Sequence, residues 1–100
     1  MPIQAQLTIT AANTWTTPLM INGWFNASIS NAAGGSLLGT TVTVQRSWDL
    51  VTYHDVDVWT RTSQDVGFEP DSAWYTIGVK TGEYAAPVTV TLSVLGSMRS

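Results

Sequence analysis

Val88-Thr89-Val90-Thr91-Leu92-Ser93-Val94 alternates a branched apolar residue with a small hydroxyl residue at every step. Successive side chains of an extended strand point to opposite faces, so this segment puts Val88, Val90, Leu92 and Val94 on one side and Thr89, Thr91 and Ser93 on the other. A helix would spread the same residues around its circumference. The segment therefore predicts a strand, Pro87 to Leu95, half-buried on its valine face. Ile3 to Ile9 repeats the pattern near the start, with Ile3, Ala5, Leu7 and Ile9 opposed to Gln4, Gln6 and Thr8.

Four more strands follow from the same rule. Leu19 to Ser30 contains Phe25, Ala27 and Ile29 in alternation with Asn26, Ser28 and Ser30. Asn22-Gly23 interrupts it and predicts a tight hairpin, or alternatively a bulge within one long strand. Thr40 to Trp48 puts Val42 and Val44 on one face. Tyr53 to Thr60 puts Val56 and Val58 on one face and Asp55, Asp57 and Trp59 on the other. Ala73 to Lys80 turns Ala73, Tyr75, Ile77 and Val79 inward. Thr62 to Asp71 reads as a polar loop, Asn31 to Ser36 as a flexible loop, and Gly96 to Ser100 as a frayed tail.

Composition agrees. The five Trp, three Tyr and two Phe, with many Thr and Val, suit pleated surfaces rather than helices. A chain of 100 residues supports one domain and one modest core. The expected fold is all-β: residues 1–100 as a single-domain antiparallel β-sandwich, Ig-like or jelly-roll-like, with flexible termini.

The charge balance excludes several functions. Only 11% of residues are charged and the net charge is -3, so counterion release from a phosphate backbone has nothing to drive it, and no nucleic-acid partner is expected. With no Cys, disulfides, thiol nucleophiles and Cys-ligated metals are excluded. Apolar runs are too short for a membrane helix, and the start lacks the basic and apolar regions of a signal peptide, so cytoplasmic synthesis is expected.

Candidate chemistry is sparse. His54 is the one imidazole, and as a catalytic base it would use Asp55, Asp57 or Asp49; a surface histidine is the plainer reading. Asp55 and Asp57, with Asp65, Glu69 and Asp71 in the next loop, raise a calcium site, although no EF-hand spacing is present. Two carboxylates raise a glycosidase, for which a domain this small has little room. Asn26-Ala27-Ser28 matches a glycosylation sequon. No enzyme activity and no cofactor are expected.

The aromatics carry more. Trp15, Trp24, Trp48, Trp59 and Trp74 are candidates for stacking on sugars in a carbohydrate-binding module. Trp15, Trp24, Trp59, Trp74 and Tyr84 are the candidate anchors of a protein interface, where aromatics concentrate. Trp24 and Trp74 both oppose the apolar alternation of their strands. The outward faces carry Thr, Ser, Asn and Gln, and the chain has a single lysine, Lys80, whereas a monomeric β-domain commonly guards its edges with lysine. Such faces suit burial against other subunits; a Thr-rich solvated sheet is the plainer alternative.

Two segments resemble small all-β structural proteins of tailed bacteriophages: Thr41-Val42-Thr43-Val44-Gln45-Arg46-Ser47-Trp48-Asp49 with Thr52-Tyr53-His54-Asp55-Val56, and Trp74 to Tyr84 with Val88 to Ser93. The Trp15-Thr16-Thr17-Pro18-Leu19 stretch belongs to the same likeness. It implies a virion structural protein, a capsid decoration (cement) protein binding the major capsid protein or other virion proteins as a homo-oligomer, or a tail or head–tail connector component. Ser47-Trp48-Asp49 also resembles an Asp-box turn, with Leu50-Val51 where that pattern has glycine. The resemblance implies that the Asp49 carboxylate holds the turn through backbone N–H groups.

Overall fold

The structure, a computed structural model, describes residues 3–31 and 37–94. The expected flexible ends and most of the Gly34-Gly35 loop lie outside the described residues. Seven strands follow in chain order: β1 Ile3–Ile9, β2 Thr14–Trp15, β3 Leu19–Ser30, β4 Val42–Ser47, β5 His54–Trp59, β6 Ser63–Val79 and β7 Val88–Val94. There is no helix among the described residues, and the chain is all-β.

All pairings are antiparallel and belong to one sheet, in the order β1-β7-β3-β6-β4-β5, with β2 also on β6. β1 and β5 stand at opposite ends of this order, five spacings or about 24 Å apart in a flat sheet. Yet Ile9 of β1 belongs to the same hydrophobic cluster that Trp59 of β5 packs against. The sheet therefore curls around its core. The two layers expected of a sandwich are parts of one hydrogen-bonded surface, linked by the long strands β3 and β6.

The core is built from the predicted alternations. Phe25, Ala27 and Ile29 of β3, Val42 and Val44 of β4, Ala73, Tyr75, Ile77 and Val79 of β6, and Val88, Val90, Leu92 and Val94 of β7 are all buried. At about 25 cal/mol per Å² of apolar surface, burying each large aliphatic side chain contributes about 1.5–3 kcal/mol, enough to set the register of every strand.

Four expectations need correction. First, Asn22-Gly23 makes no hairpin but follows the alternative, a bulge within one long strand: β3 runs straight through it, and the pairing with β6 jumps from Ile21↔Ala73 to Gly23↔Glu69. Pro70-Asp71-Ser72 thus bulges opposite Asn22, a position where proline's missing N–H breaks no ladder. Asn22 Nδ2 closes the bulge by donating to the Asp71 carbonyl at 2.6 Å and Ser72 Oγ at 2.9 Å. Second, Thr62 to Asp71 is mostly strand. Ser63 to Glu69 pairs residue by residue with Gly23 to Ile29, so the neighbour imposes extension on a polar sequence. Third, β5 carries a bulge at Val56: Val44 faces Asp57, but Gln45 faces Asp55. Asp55 and Asp57 therefore turn to opposite faces, Val56 and Val58 are exposed, and Trp59 packs inward. Fourth, Thr14–Trp15 adds a short strand on the end of β6, opposite Gly78 and Val79.

Candidate functional site

Alternation in β3 sends Phe25, Ala27 and Ile29 inward, so Met20, Trp24 and Asn26 must face out. The register then sets Met20 opposite Trp74, Trp24 opposite Phe68, and Asn26 opposite Val66. The Trp24 and Phe68 rings meet at a centroid distance of 4.8 Å with planes tilted by 53°. That is an edge-biased aromatic pair, the geometry in which the ring quadrupoles attract. Both nevertheless stand in water: Trp24 is 59% exposed, Phe68 52%, Val66 67% and Met20 45%. Trp24, Phe68 and Val66 form one contiguous outward stripe, and Met20 stands four residues along β3 from Trp24, beyond the polar Asn22.

The β4–β5 turn leaves the sheet where Ser47 pairs with Trp74. Asp49 holds the turn as its Asp-box likeness implied: its Oδ1 accepts the N–H groups of Val51 and Thr52, each at 2.9 Å. Those backbone donors keep the Asp49 carboxyl below its ordinary range. Ser47 Oγ accepts the Leu50 N–H at 2.9 Å, and Leu50 adopts φ +65°, strained for a branched side chain. The fixed turn displays Trp48, Leu50 and Val51, the last 80% exposed.

A buried ion pair supports both regions. Glu69, at the bulge, is 1% exposed. Arg46 grips it bidentately, Nε to Oε1 at 2.6 Å and Nη2 to Oε2 at 2.8 Å. Tyr75 Oη donates to Oε1 at 2.7 Å and the Asp71 N–H to Oε2 at 3.1 Å. The same guanidinium lies 4.1 Å from the Trp48 ring centroid. One cation thus ties the bulge to the turn. Arg46, with Tyr75 and the Asp71 N–H, holds the Glu69 carboxyl down at about 2 against the opposing effect of burial. Burial and the adjacent carboxylate push the Tyr75 hydroxyl up to about 12.

The predicted residues divide clearly. Trp24 is an exposed member of the stripe, and Trp74 lies half-buried beside Met20. Trp59 and Tyr84 pack against the core, and the Trp59 indole N–H is bound to Asp65 Oδ2 at 2.6 Å. Both are partly buried residues at the edge of the core. Trp15 is half-buried on the other half of β6. His54 opens β5, exposed, opposite Arg46 rather than a carboxylate. The acidic set disperses: Asp55 binds Gln45 and Lys80, Asp65 binds Trp59, and Glu69 is buried with Arg46. Among the described residues no group of three or more His, Cys, Asp or Glu is placed to hold a metal. The sequon residue Asn26 sits mid-strand between β6 and β7 instead of in a loop.

Phe68, Val66 and Met20 were missed as site residues. Val66 and Phe68 do stand two apart, a strand signal, but within a stretch whose Asp, Gly and Pro mask it. No family model, curated protein or solved structure matches the chain.

Proposed function

We propose that this chain is a non-enzymatic structural subunit of a tailed-phage virion: a decoration protein that docks on the outer head shell through the outward face of β3 and the first half of β6. The observation that carries this reading is the exposed stripe of Trp24, Phe68 and Val66, with exposed Met20 farther along β3. A folded chain that leaves these groups in water forgoes about 1.5–3 kcal/mol for each side chain a partner could cover. Aromatic residues at the centre of such a patch are the usual anchors of protein interfaces. The frame beneath is rigid, braced by the Arg46–Glu69 pair and the bulge, so little ordering entropy opposes docking. The phage-like segments supply the class of partner, the major capsid protein and neighbouring copies of this chain. Many copies on a symmetric shell hold by avidity even when each contact is weak.

The test adds purified chain to heads lacking it and measures co-sedimentation. Saturable binding that Trp24→Ala and Phe68→Ala abolish supports the reading. Failure of the wild-type chain to sediment with heads refutes shell binding. Incorporation at a few copies per particle would move the chain to the tail or head–tail joint.

A further inference from the structure

The second half of β6 carries a different outward face. Gly78 lies between Trp15 of β2 and Thr43 of β4. A Cβ there would fall 2.3 Å from the Thr14 carbonyl oxygen and 2.7 Å from Trp15 Cδ2. The indole is therefore seated on the strand at a place where only hydrogen fits. Beside it opens a groove of about 300 Å³ lined by Trp15, Thr16, Pro18, Gln45, Tyr53 and Thr76.

The walls of this groove are fixed. Thr76 Oγ1 donates to the Thr16 carbonyl at 2.7 Å, Thr16 N–H donates to the Ile77 carbonyl at 3.0 Å, and the Ile77 N–H donates to Thr16 Oγ1 at 3.1 Å. These bonds hold the Trp15 segment against β6. On the opposite side Gln45 Nε2 donates to Asp55 Oδ1 at 2.8 Å, and the Lys80 ammonium takes the other oxygen. The orientation of the Gln45 amide is thereby set, with its Oε1 as the group it offers a ligand.

We propose that this groove binds one neutral pyranose ring of a glycan, a function independent of the docking stripe. A sugar ring presents a C–H face, which suits an aromatic wall, and hydroxyls at its edge, which suit an amide. The groove supplies both: Trp15 and Tyr53 as aromatic walls, and Gln45 Oε1 as the polar partner. An anion finds no uncommitted cation here, because Lys80 is paired with Asp55. A purely apolar ligand would desolvate the amide and hydroxyls without replacing their bonds. The volume sits at the lower bound of small-molecule sites, compact for a proline-rich peptide, which needs an extended run of ridges.

The test titrates the intact ¹⁵N-labelled chain with glucose, galactose, mannose and N-acetylglucosamine, following tryptophan indole and glutamine side-chain resonances. At least one sugar shifts the Trp15 indole and the Gln45 amide saturably, with Kd on the order of 1–10 mM. Gln45→Ala and Tyr53→Ala, which leave the Trp15 seat intact, each weaken binding at least about fivefold, and Trp24→Ala leaves it unchanged. The proposal is overturned if no sugar gives a saturable shift, if the shifts centre on Trp24 or Trp48, if neither groove variant weakens binding, or if an oligoproline peptide occupies the groove and no sugar competes with it.

Discussion

The two halves of β6 are one strand with opposite fates. From Ala73 to Val79 every residue except Trp74 is buried; from Ser63 to Phe68 none is. The difference is the number of neighbours. The second half has β4 along one edge and β2 with the start of β3 along the other, whereas the first half pairs with β3 alone. Flanked on both edges, the second half joins the core of the curled sheet. Flanked on one, the first half buries little beyond Glu69 and leaves Val66 and Phe68 outside. The bulge at Pro70-Asp71-Ser72 divides the two, and stability belongs to one half while the proposed docking surface belongs to the other.

The sharpest way to break this contrast is to place a carboxylate in each half. Ile77→Asp buries an unpaired charge where the native side chain is 0% exposed, and the domain should lose its cooperative unfolding transition. Val66→Asp, at 67% exposure, should move stability by less than about 0.5 kcal/mol. Urea titration followed by circular dichroism measures both; equal effects would erase the distinction.

A second cut falls at the boundary. Removing one partner of a buried ion pair leaves the other uncompensated, and because Arg46 is 28% exposed its penalty is partly relieved by water. Glu69→Gln should cost about 2–3 kcal/mol, and the paired change Glu69→Leu with Arg46→Met should recover most of it. The same pair sets a pH dependence. Glu69 titrates near 4.5 when unfolded and near 2 when folded, so the unfolded chain binds the proton first. The pair's stabilisation is complete above about pH 4.5 and is lost as pH falls toward 2, a slope that Glu69→Gln should flatten. Tyr75 works in the other direction: its raised folded value gives stability that is complete below pH 10 and lost as pH rises toward 12.

The glycines give a smaller, graded test. A Cβ at Gly67 meets the Phe25 ring at 2.5 Å, and a Cβ at Gly78 meets backbone at 2.3 Å. A ring turns aside more readily than a peptide group. Gly78→Ala should therefore be the costlier change, within about 1–3 kcal/mol, with loss of amide protection across β2 visible by hydrogen exchange.

How much of this was legible in the sequence follows the same divide. The strands β1 and β7, the inward face of β3 and the second half of β6 were readable because their alternation is local. The first half of β6 was not. Gly67 and Pro70 read as breakers, and Glu69 reads as solvated unless its partner 23 residues earlier is known. Asp55 and Asp57 look like a pair until the Val56 bulge turns them apart. Trp15 follows an irregular stretch, and its seat on Gly78 is set by a contact between distant parts of the chain. Trp24 was legible as outward, but its partner Phe68 lay in a segment read as loop, so the stripe emerged only when the register was known.

The mildest variants touch the surface itself. Trp24→Ala and Phe68→Ala remove one cross-strand aromatic pair and should each cost less than about 1 kcal/mol of stability in thermal unfolding. Their effect should appear in assembly, where a buried aromatic anchor is worth about 2 kcal/mol or more.

Hydroxyl-radical footprinting of the free chain and of purified virions, read by mass spectrometry, tests the central claim most directly. The account predicts that the chain is present in the particle and that Trp24, Phe68 and Met20 oxidise readily when free and are protected there, while buried Tyr75 stays unreactive in both. Absence from the particle, or equal oxidation of the stripe in the two states, would contradict it.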